Sequence, residues 1–167
     1  FKATRHGVFG FSPGIELALV SSSEEPRRFH LWEATPMQYL ERLQLLNQLV
    51  PKLNRLEGVV RMSPSEISIL TSQPALPINP VAEQEIDTWF DSLGFRKLTS
   101  AAYYRADDNL GIFDTHDKNL LRAGSTLIPF DVIPCHPEDG FLEFIQETLS
   151  AGHSLKAVRT TRIGSRT

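Results

Sequence analysis

Acid, amide and histidine side chains that could support catalysis are concentrated in residues 110–134, LGIFDTHDKNLLRAGSTLIPFDVIP. Asp114 and Asn119 are separated by five positions in a polar stretch between two apolar runs. Asp131 follows twelve positions after Asn119, inside an apolar run where a strand would favour Val or Ile. A carboxylate in such a run costs free energy unless a cation neutralises it. The pattern therefore indicates a bound cation, of which a divalent metal is the usual example.

The spacing of these three residues suits phosphoryl transfer. Residues 122–125, RAGS, have the composition of a hairpin turn, so a hairpin should return Asp131 towards Asn119. Carboxylate and amide oxygens are hard ligands that suit Mg²⁺, which takes only one or two protein oxygens when it also binds phosphate. We therefore expect Asn119 and Asp131 to hold the metal and Asp114 to orient or deprotonate an attacking hydroxyl.

Helices and strands that could position these residues alternate in no regular order. Thr35 and Pro36 have the composition of a helix start, and Pro51 should end that helix. Further helices are predicted over 80–93, after Asn79, and over 141–149. Short strands are predicted at the start of the chain and over 15–20, 27–32, 56–62, 67–71 and 103–105. The order predicts a mixed α+β fold with antiparallel sheets.

Composition limits the classes of function. The 167 residues carry a net charge of −3, which does not favour a specific nucleic-acid surface. With Cys135 as its one cysteine, the chain has no internal disulfide. No signal peptide or membrane-spanning run is visible, so a cytoplasmic protein that does not associate with a membrane is expected. The chain begins at Phe1 rather than Met, and we expect it to be a piece of a longer protein.

Residues 114–119, DTHDKN, are similar to the catalytic loop D-x-H-x-x-N of protein-kinase-like phosphotransferases such as the aminoglycoside phosphotransferases. Asn119-Leu120-Leu121 and residues 127–131, LIPFD, look like the asparagine, hairpin and metal-binding aspartate of that class. More closely, the chain resembles a bacterial family, the serine/threonine/tyrosine kinase-like domain of polyvalent proteins, found in phage and mobile-element contexts. This resemblance covers most of residues 1–137.

The resemblance implies an ATP- and Mg²⁺-dependent phosphotransferase whose acceptor is a protein or a small molecule. Asp114 would be the catalytic base, His116 would orient the loop, and Asn119 and Asp131 would bind the metal. The implied nucleotide-binding residues are Lys2 on the phosphates, Glu41 as its helix partner, and Ser72, Gln73 and Pro74 of a hinge at adenine. From the sequence alone, Lys2 could equally be an ordinary strand lysine, and a position on a solvated helix face is the simpler interpretation of Glu41.

The resemblance also implies a two-lobed architecture, here incomplete: a small antiparallel sheet with a helix, a hinge, and a reduced large lobe. The corresponding ranges are 1–71, 72–78 and 79–150, followed by a tail over 151–167. Three features depart from the family pattern. The strands and glycine-rich loop that should precede Lys2 are missing, residues 95–109 show no obvious helix, and Asp131 is followed by Val132 rather than glycine.

Two other functions stay open at the level of sequence. Asp114, His116, Asp117 and His136 could instead gather transition metals in a metal-dependent hydrolase. Alternatively, the chain could be a kinase-like module that binds a nucleotide or a partner without catalysing transfer.

Overall fold

The structure, a computed structural model, describes residues 1–5, 7–16, 28–63, 66–76 and 79–151. These residues form an α+β fold of several small antiparallel sheets and three helices, as the sequence predicts. The helices are α1 (Pro36–Leu49), α2 (Glu83–Ser92) and α3 (Asp139–Ser150). The strands are β1 (Lys2–Ala3), β2 (Phe11–Glu16), β3 (Arg28–Glu33), β4 (Arg55–Ser63), β5 (Glu66–Ser72), β6 (Arg96–Thr99), β7 (Ala102–Arg105), β8 (Leu110–Phe113), β9 (Leu120–Ala123), β10 (Thr126–Pro129) and β11 (Ile133–Cys135).

Helix α1 begins and ends where the sequence predicts. The Thr35 hydroxyl accepts a hydrogen bond from the Gln38 backbone at 3.2 Å, and the Gln38 side chain accepts one from the Thr35 backbone at 2.9 Å. These two bonds form a capping box, and Pro36 occupies the first helical position. The helix packs on a three-stranded sheet of order β1-β5-β4, through a core cluster that includes Tyr39 and Ile69. In this sheet Lys2 pairs with Thr71.

A second sheet, of order β11-β8-β7-β6, leads into the polar loop at residue 114. Successive residues of a strand point to opposite faces, and both faces of this sheet are buried. Tyr103 and Ile112 pack with α2 in one cluster, whereas Tyr104 and Phe113 pack with Ile145 of α3 in another. The sequence showed no obvious helix over 95–109, and residues 96–105 indeed form an antiparallel hairpin.

Helix α2 begins later than the sequence predicts. The prediction places its start at Asn79 and Pro80, but the first helical residue is Glu83. Glu85 accepts a hydrogen bond from the Ala82 backbone at 2.9 Å and so caps this end. The Asn79 amide instead donates to the Arg122 carbonyl at 3.1 Å. The predicted cap was wrong because its side chain bonds to a neighbouring hairpin.

Other boundaries differ by a few residues or lie outside the described ranges. The strand predicted over 15–20 begins at Phe11, and its residues 17–20 are outside the description. Its hairpin with β3 is confirmed, in the register Phe11 to Glu33. Helix α3 extends one or two residues beyond each predicted end. Residues 77–78 of the linker and 152–167 of the tail are also outside the described part of the chain.

The division into two lobes stays a prediction. One core cluster includes Leu46 and Leu53, which precede the linker, and Phe90, Ile112 and Leu120, which follow it. The parts on either side of residues 72–78 therefore share buried contacts. Among the described residues, no helix has both the length and the apolar character needed to cross a membrane.

A polar cluster on the second sheet predicts a measurable pH dependence. The Lys97 ammonium donates to both carboxylate oxygens of Asp87 at 2.7 Å, and the buried Tyr103 hydroxyl also donates to Asp87. Burial alone would raise the pKa of Asp87, but the hydrogen bonds from Lys97 and Tyr103 lower it overall. A lowered folded-state pKa stabilises the fold above the unfolded-state pKa of about 4 and loses that contribution below it.

We therefore expect Asp87→Asn to reduce the loss of unfolding free energy that accompanies acidification through about pH 4. Urea unfolding at a series of pH values between about 3 and 6 measures this slope. Asp91→Asn changes an exposed carboxylate on the same helix and serves as the matched control. Parallel pH profiles for Asp87→Asn and wild type would contradict the prediction.

Candidate active site

The β9–β10 hairpin places Asn119 beside Asp131. Its strands pair from Leu120 with Pro129 to Ala123 with Thr126, and Gly124 adopts a φ of 61° in the turn. At the open end, the Asn119 carbonyl accepts hydrogen bonds from Phe130 at 3.1 Å and Asp131 at 3.4 Å. The predicted hairpin is confirmed, but Asp131 lies at a bend between β10 and β11 rather than inside a strand. At this bend the backbone amides of Phe130 and Asp131 both donate to the Asn119 carbonyl, so they do not continue the strand.

Asp114 follows β8 directly and is held by Asn119. The Asn119 amide donates to the Asp114 carbonyl at 2.8 Å and to its carboxylate Oδ2 at 2.9 Å. Asp114 adopts a φ of 60°, in the left-handed region that Asp and Asn tolerate better than most residues. Asn119 is only 8% exposed, so the contact is fixed by packing on one side. The structure thus joins the predicted base to a predicted metal ligand.

His116 lies against the free side of the Asp114 carboxylate. Its Nδ1 accepts a hydrogen bond from the Lys118 backbone at 3.2 Å, so a neutral ring carries its proton on Nε2. That Nε2 is 3.5 Å from Asp114 Oδ1. This geometry agrees with a residue that orients the loop.

Asp131 is bound by two cations, one of which the sequence interpretation missed. Arg42 Nη2 donates to the Asp131 carboxylate Oδ1 and to its carbonyl, both at 2.9 Å. Arg42 Nε also donates to the Val132 carbonyl at 2.9 Å, and the arginine side chain is only 12% exposed. The Lys2 ammonium reaches the same Oδ1 at 3.4 Å. An acid in an apolar run did predict a cation, and Arg42 is the one basic residue of α1, which was the available signal.

Glu41 and Lys2 are not brought together in the structure. Adjacent residues of a helix point about 100° apart, so a helix that directs Arg42 to Asp131 turns Glu41 away. Glu41 instead lines a cavity of about 270 Å³ with Cys135. Burial raises the pKa of the Cys135 thiol to about 12, with a further contribution from the Glu41 charge. The expected Lys2–Glu41 ion pair is therefore replaced by contacts of Lys2 and Arg42 with Asp131.

The linker residues approach the site from the end of β5. Ser72 is the last residue of that strand, and its hydroxyl donates to Glu57 at 2.5 Å. The Gln73 amide donates to Asn54 at 2.6 Å and to the Phe130 carbonyl at 3.4 Å, next to Asp131. Pro74 is exposed. Gln73 thus connects the linker to the bend that contains Asp131.

Two oxygens of the site are available for a metal. Within the described residues, Asn119 Oδ1 and Asp131 Oδ2 take part in no hydrogen bond, because Asn119 binds through its nitrogen and Asp131 through Oδ1. Amide and carboxylate oxygens are the donor types that Mg²⁺ prefers. The donor set therefore fits a magnesium ion.

The residues of the alternative hydrolase site are not gathered in one place. Asp114, His116 and Asp117 are neighbours, but the His136 ring binds the Asn109 carbonyl at 2.9 Å, beyond the opposite end of β8. In the described ranges, no group of three or more His, Cys, Asp or Glu side chains could hold a metal ion.

Comparison with known proteins identifies a family. No curated protein and no solved structure matches the chain. One family model, described as serine/threonine/tyrosine kinase found in polyvalent proteins, matches residues 30–134. The match spans α1, the linker, the polar loop and the β9–β10 hairpin, and it contains Asp114, Asn119 and Asp131. The chain therefore belongs to the kinase family of polyvalent proteins.

Proposed function

We propose that this kinase-like chain is an ATP- and Mg²⁺-dependent phosphotransferase. The observation that carries the proposal is the convergence of Asp114, Asn119 and Asp131 around one loop, with a hard oxygen free on each of the two metal ligands. Phosphoryl transfer depends mainly on positioning and charge stabilisation, and these are the roles that we assign to the three groups.

Each residue has a distinct task in the proposed reaction. Asp114 accepts the proton of the attacking hydroxyl, while Asn119 and His116 hold its carboxylate in place. Asn119 and Asp131 would hold the magnesium ion through their free side-chain oxygens. When bound, the metal neutralises negative charge on the phosphates of ATP. Arg42 and Lys2 both approach Oδ1 of Asp131, which leaves Oδ2 for the metal.

The nucleotide-binding role extends to Lys2 and the linker. The Lys2 side chain is more than half exposed, so its ammonium can reach a phosphate beside Asp131. In the described chain, the backbone of Gln73 and Ala75 makes no hydrogen bond, and Pro74 between them is exposed. Free backbone groups at this position support adenine recognition by residues 72–74. Glu41 has no contact that supports the nucleotide role proposed for it.

Thermal unfolding with ATP, with and without Mg²⁺, tests the proposal. We expect Mg-ATP to raise the melting temperature, since a ligand at about 100 times its dissociation constant stabilises by about 2.7 kcal/mol. Asp131→Asn should abolish the magnesium-dependent part of this shift. No shift with any nucleotide would refute the proposal, and a shift without phosphate transfer would favour the non-catalytic binding module.

A further inference from the structure

A second cavity adjoins the candidate base and is separate from the metal-binding bend. It has a volume of about 540 Å³ and lies between the start of α2, the β6–β7 turn and the residues that follow Asp114. Small-molecule sites typically span about 300 to 1,000 Å³. We call it the α2 cavity. Its wall includes His116, whose ring contacts Asp114, so a molecule held there lies next to the proposed base.

Thr115 is one of the residues that line the α2 cavity, and its buried hydroxyl has no hydrogen-bond partner among the described residues. Thr115 is 1% exposed, and in the described chain its Oγ1 makes no hydrogen bond. Its backbone donates to the Ala101 carbonyl at 3.1 Å, which fixes Thr115 beside the β6–β7 turn. A buried hydroxyl that lacks a partner is costly, and a polar ligand group would satisfy it. The unpartnered hydroxyl supports a polar ligand, and this support does not depend on the charged residues nearby.

The charges around the α2 cavity are negative. Glu83 and Asp117 line it, and no Lys or Arg is among its lining residues. Lys97 is 3.9 Å from Glu83, but its ammonium is committed to both carboxylate oxygens of Asp87 at 2.7 Å. The buried side chains of Val81 and Ile86 provide an apolar wall. These groups fit a small molecule that carries an amine, a hydroxyl and several carbons.

We propose that the α2 cavity binds the phosphoryl acceptor and that the acceptor is a small hydroxylated organic amine. Its ammonium lies between Glu83 and Asp117, and a polar group bonds to Thr115. The acceptor part of this assignment rests on the proposed function. The acceptor hydroxyl oxygen bonds to the γ-phosphorus of ATP as the bond from that phosphorus to the bridging oxygen breaks. ADP leaves with that electron pair, and the hydroxyl proton passes to Asp114.

NMR titration of the ¹⁵N-labelled chain tests this assignment, because it measures binding and needs no turnover. Two matched pairs serve as probes, glucosamine with glucose and 3-amino-1-propanol with 1,3-propanediol. We expect saturable shifts at residues 100–101 and 115–117 for the amines and at least tenfold weaker binding for the neutral partners. Equal binding within a pair, or no saturable binding, would overturn the assignment. The assignment would also be overturned if a basic serine-containing peptide shifted these resonances and neither amine did.

Variants separate this cavity from the metal site. The double change Glu83→Gln and Asp117→Asn should weaken amine binding at least tenfold, whereas Asp107→Asn, an exposed acid in the turn before β8, should not. Thr115→Val should weaken it about fivefold without lowering the melting temperature, since Val fills the same volume. The Mg-ATP shift should persist in all variants. If the chain shows no Mg-ATP melting shift but still binds the amines, the phosphotransferase proposal alone is refuted. If the double variant binds the amines as tightly as wild type, the cavity assignment alone is refuted.

Discussion

Replacement of Asp114 by Asn should lower the rate of phosphate transfer from ATP by about 100- to 10,000-fold, the usual contribution of a general base. The amide is nearly isosteric with the carboxylate but cannot accept the proton of the acceptor hydroxyl. Asn also tolerates the left-handed backbone that Asp114 adopts, with its φ of 60°. The fold should therefore survive, and the measurement is ADP release in the presence of Mg-ATP and acceptor.

Two comparisons make this result specific to proton transfer. The Mg-ATP melting shift of Asp114→Asn should match that of wild type, because Asn119 and Asp131 keep their free oxygens. Asp114→Ala should lose activity and also about 1 kcal/mol of stability, since Ala is strained at positive φ. Unchanged turnover in Asp114→Asn would remove the base role from this residue.

Replacement of Arg42 by Met should weaken Mg-ATP binding at least tenfold and destabilise the fold. The guanidinium makes three hydrogen bonds to the Asp131–Val132 segment and is mostly buried. Breaking a fully buried ion pair costs about 3–5 kcal/mol, but the Asp131 side chain is 41% exposed. With solvent screening, we expect a loss of about 1–3 kcal/mol. Urea unfolding measures the stability, and calorimetric titration with Mg-ATP measures the binding.

Matched variants distinguish the position of Asp131 from its charge. Arg42→Lys keeps the charge but not the forked geometry, so its binding should be intermediate. Arg122→Met removes the half-exposed ion pair with Glu85 and should cost no more than about 1 kcal/mol, with Mg-ATP binding unaltered. Tighter metal binding in Arg42→Met would show that Arg42 competes with the metal instead of orienting Asp131.

Local patterns in the sequence predicted much of the site. The RAGS turn predicted the hairpin because its residue types suit a tight turn, and Gly124 adopts positive φ there. The sequence predicted a turn between Asp114 and Asn119, and across that turn the Asn119 amide donates to the Asp114 carboxylate at 2.9 Å. Thr35, Pro36 and Gln38 predicted the start of α1, because the cap contacts involve neighbours in the chain. These features depend on interactions between residues close in sequence.

Contacts between distant segments could not be predicted in the same way. The choice of Arg42 rather than Glu41 as the α1 residue near the site depends on the rotation of the helix, which packing on β5 determines. The separation of His116 from His136 depends on the direction of β11, which pairs antiparallel with β8. Asn79 does not cap α2, because its side-chain amide donates to the Arg122 carbonyl, 43 positions away.

The sequence by itself thus determined which residues of the polar loop could do chemistry, and a family model matched over residues 30–134 shows which kinase family holds them. The tertiary structure alone decided which oxygens are free, which cations bind Asp131, and which cavity adjoins the base. The physical reason is that spacing fixes local geometry, whereas hydrogen-bond partners and cavities depend on packing between segments up to 129 positions apart.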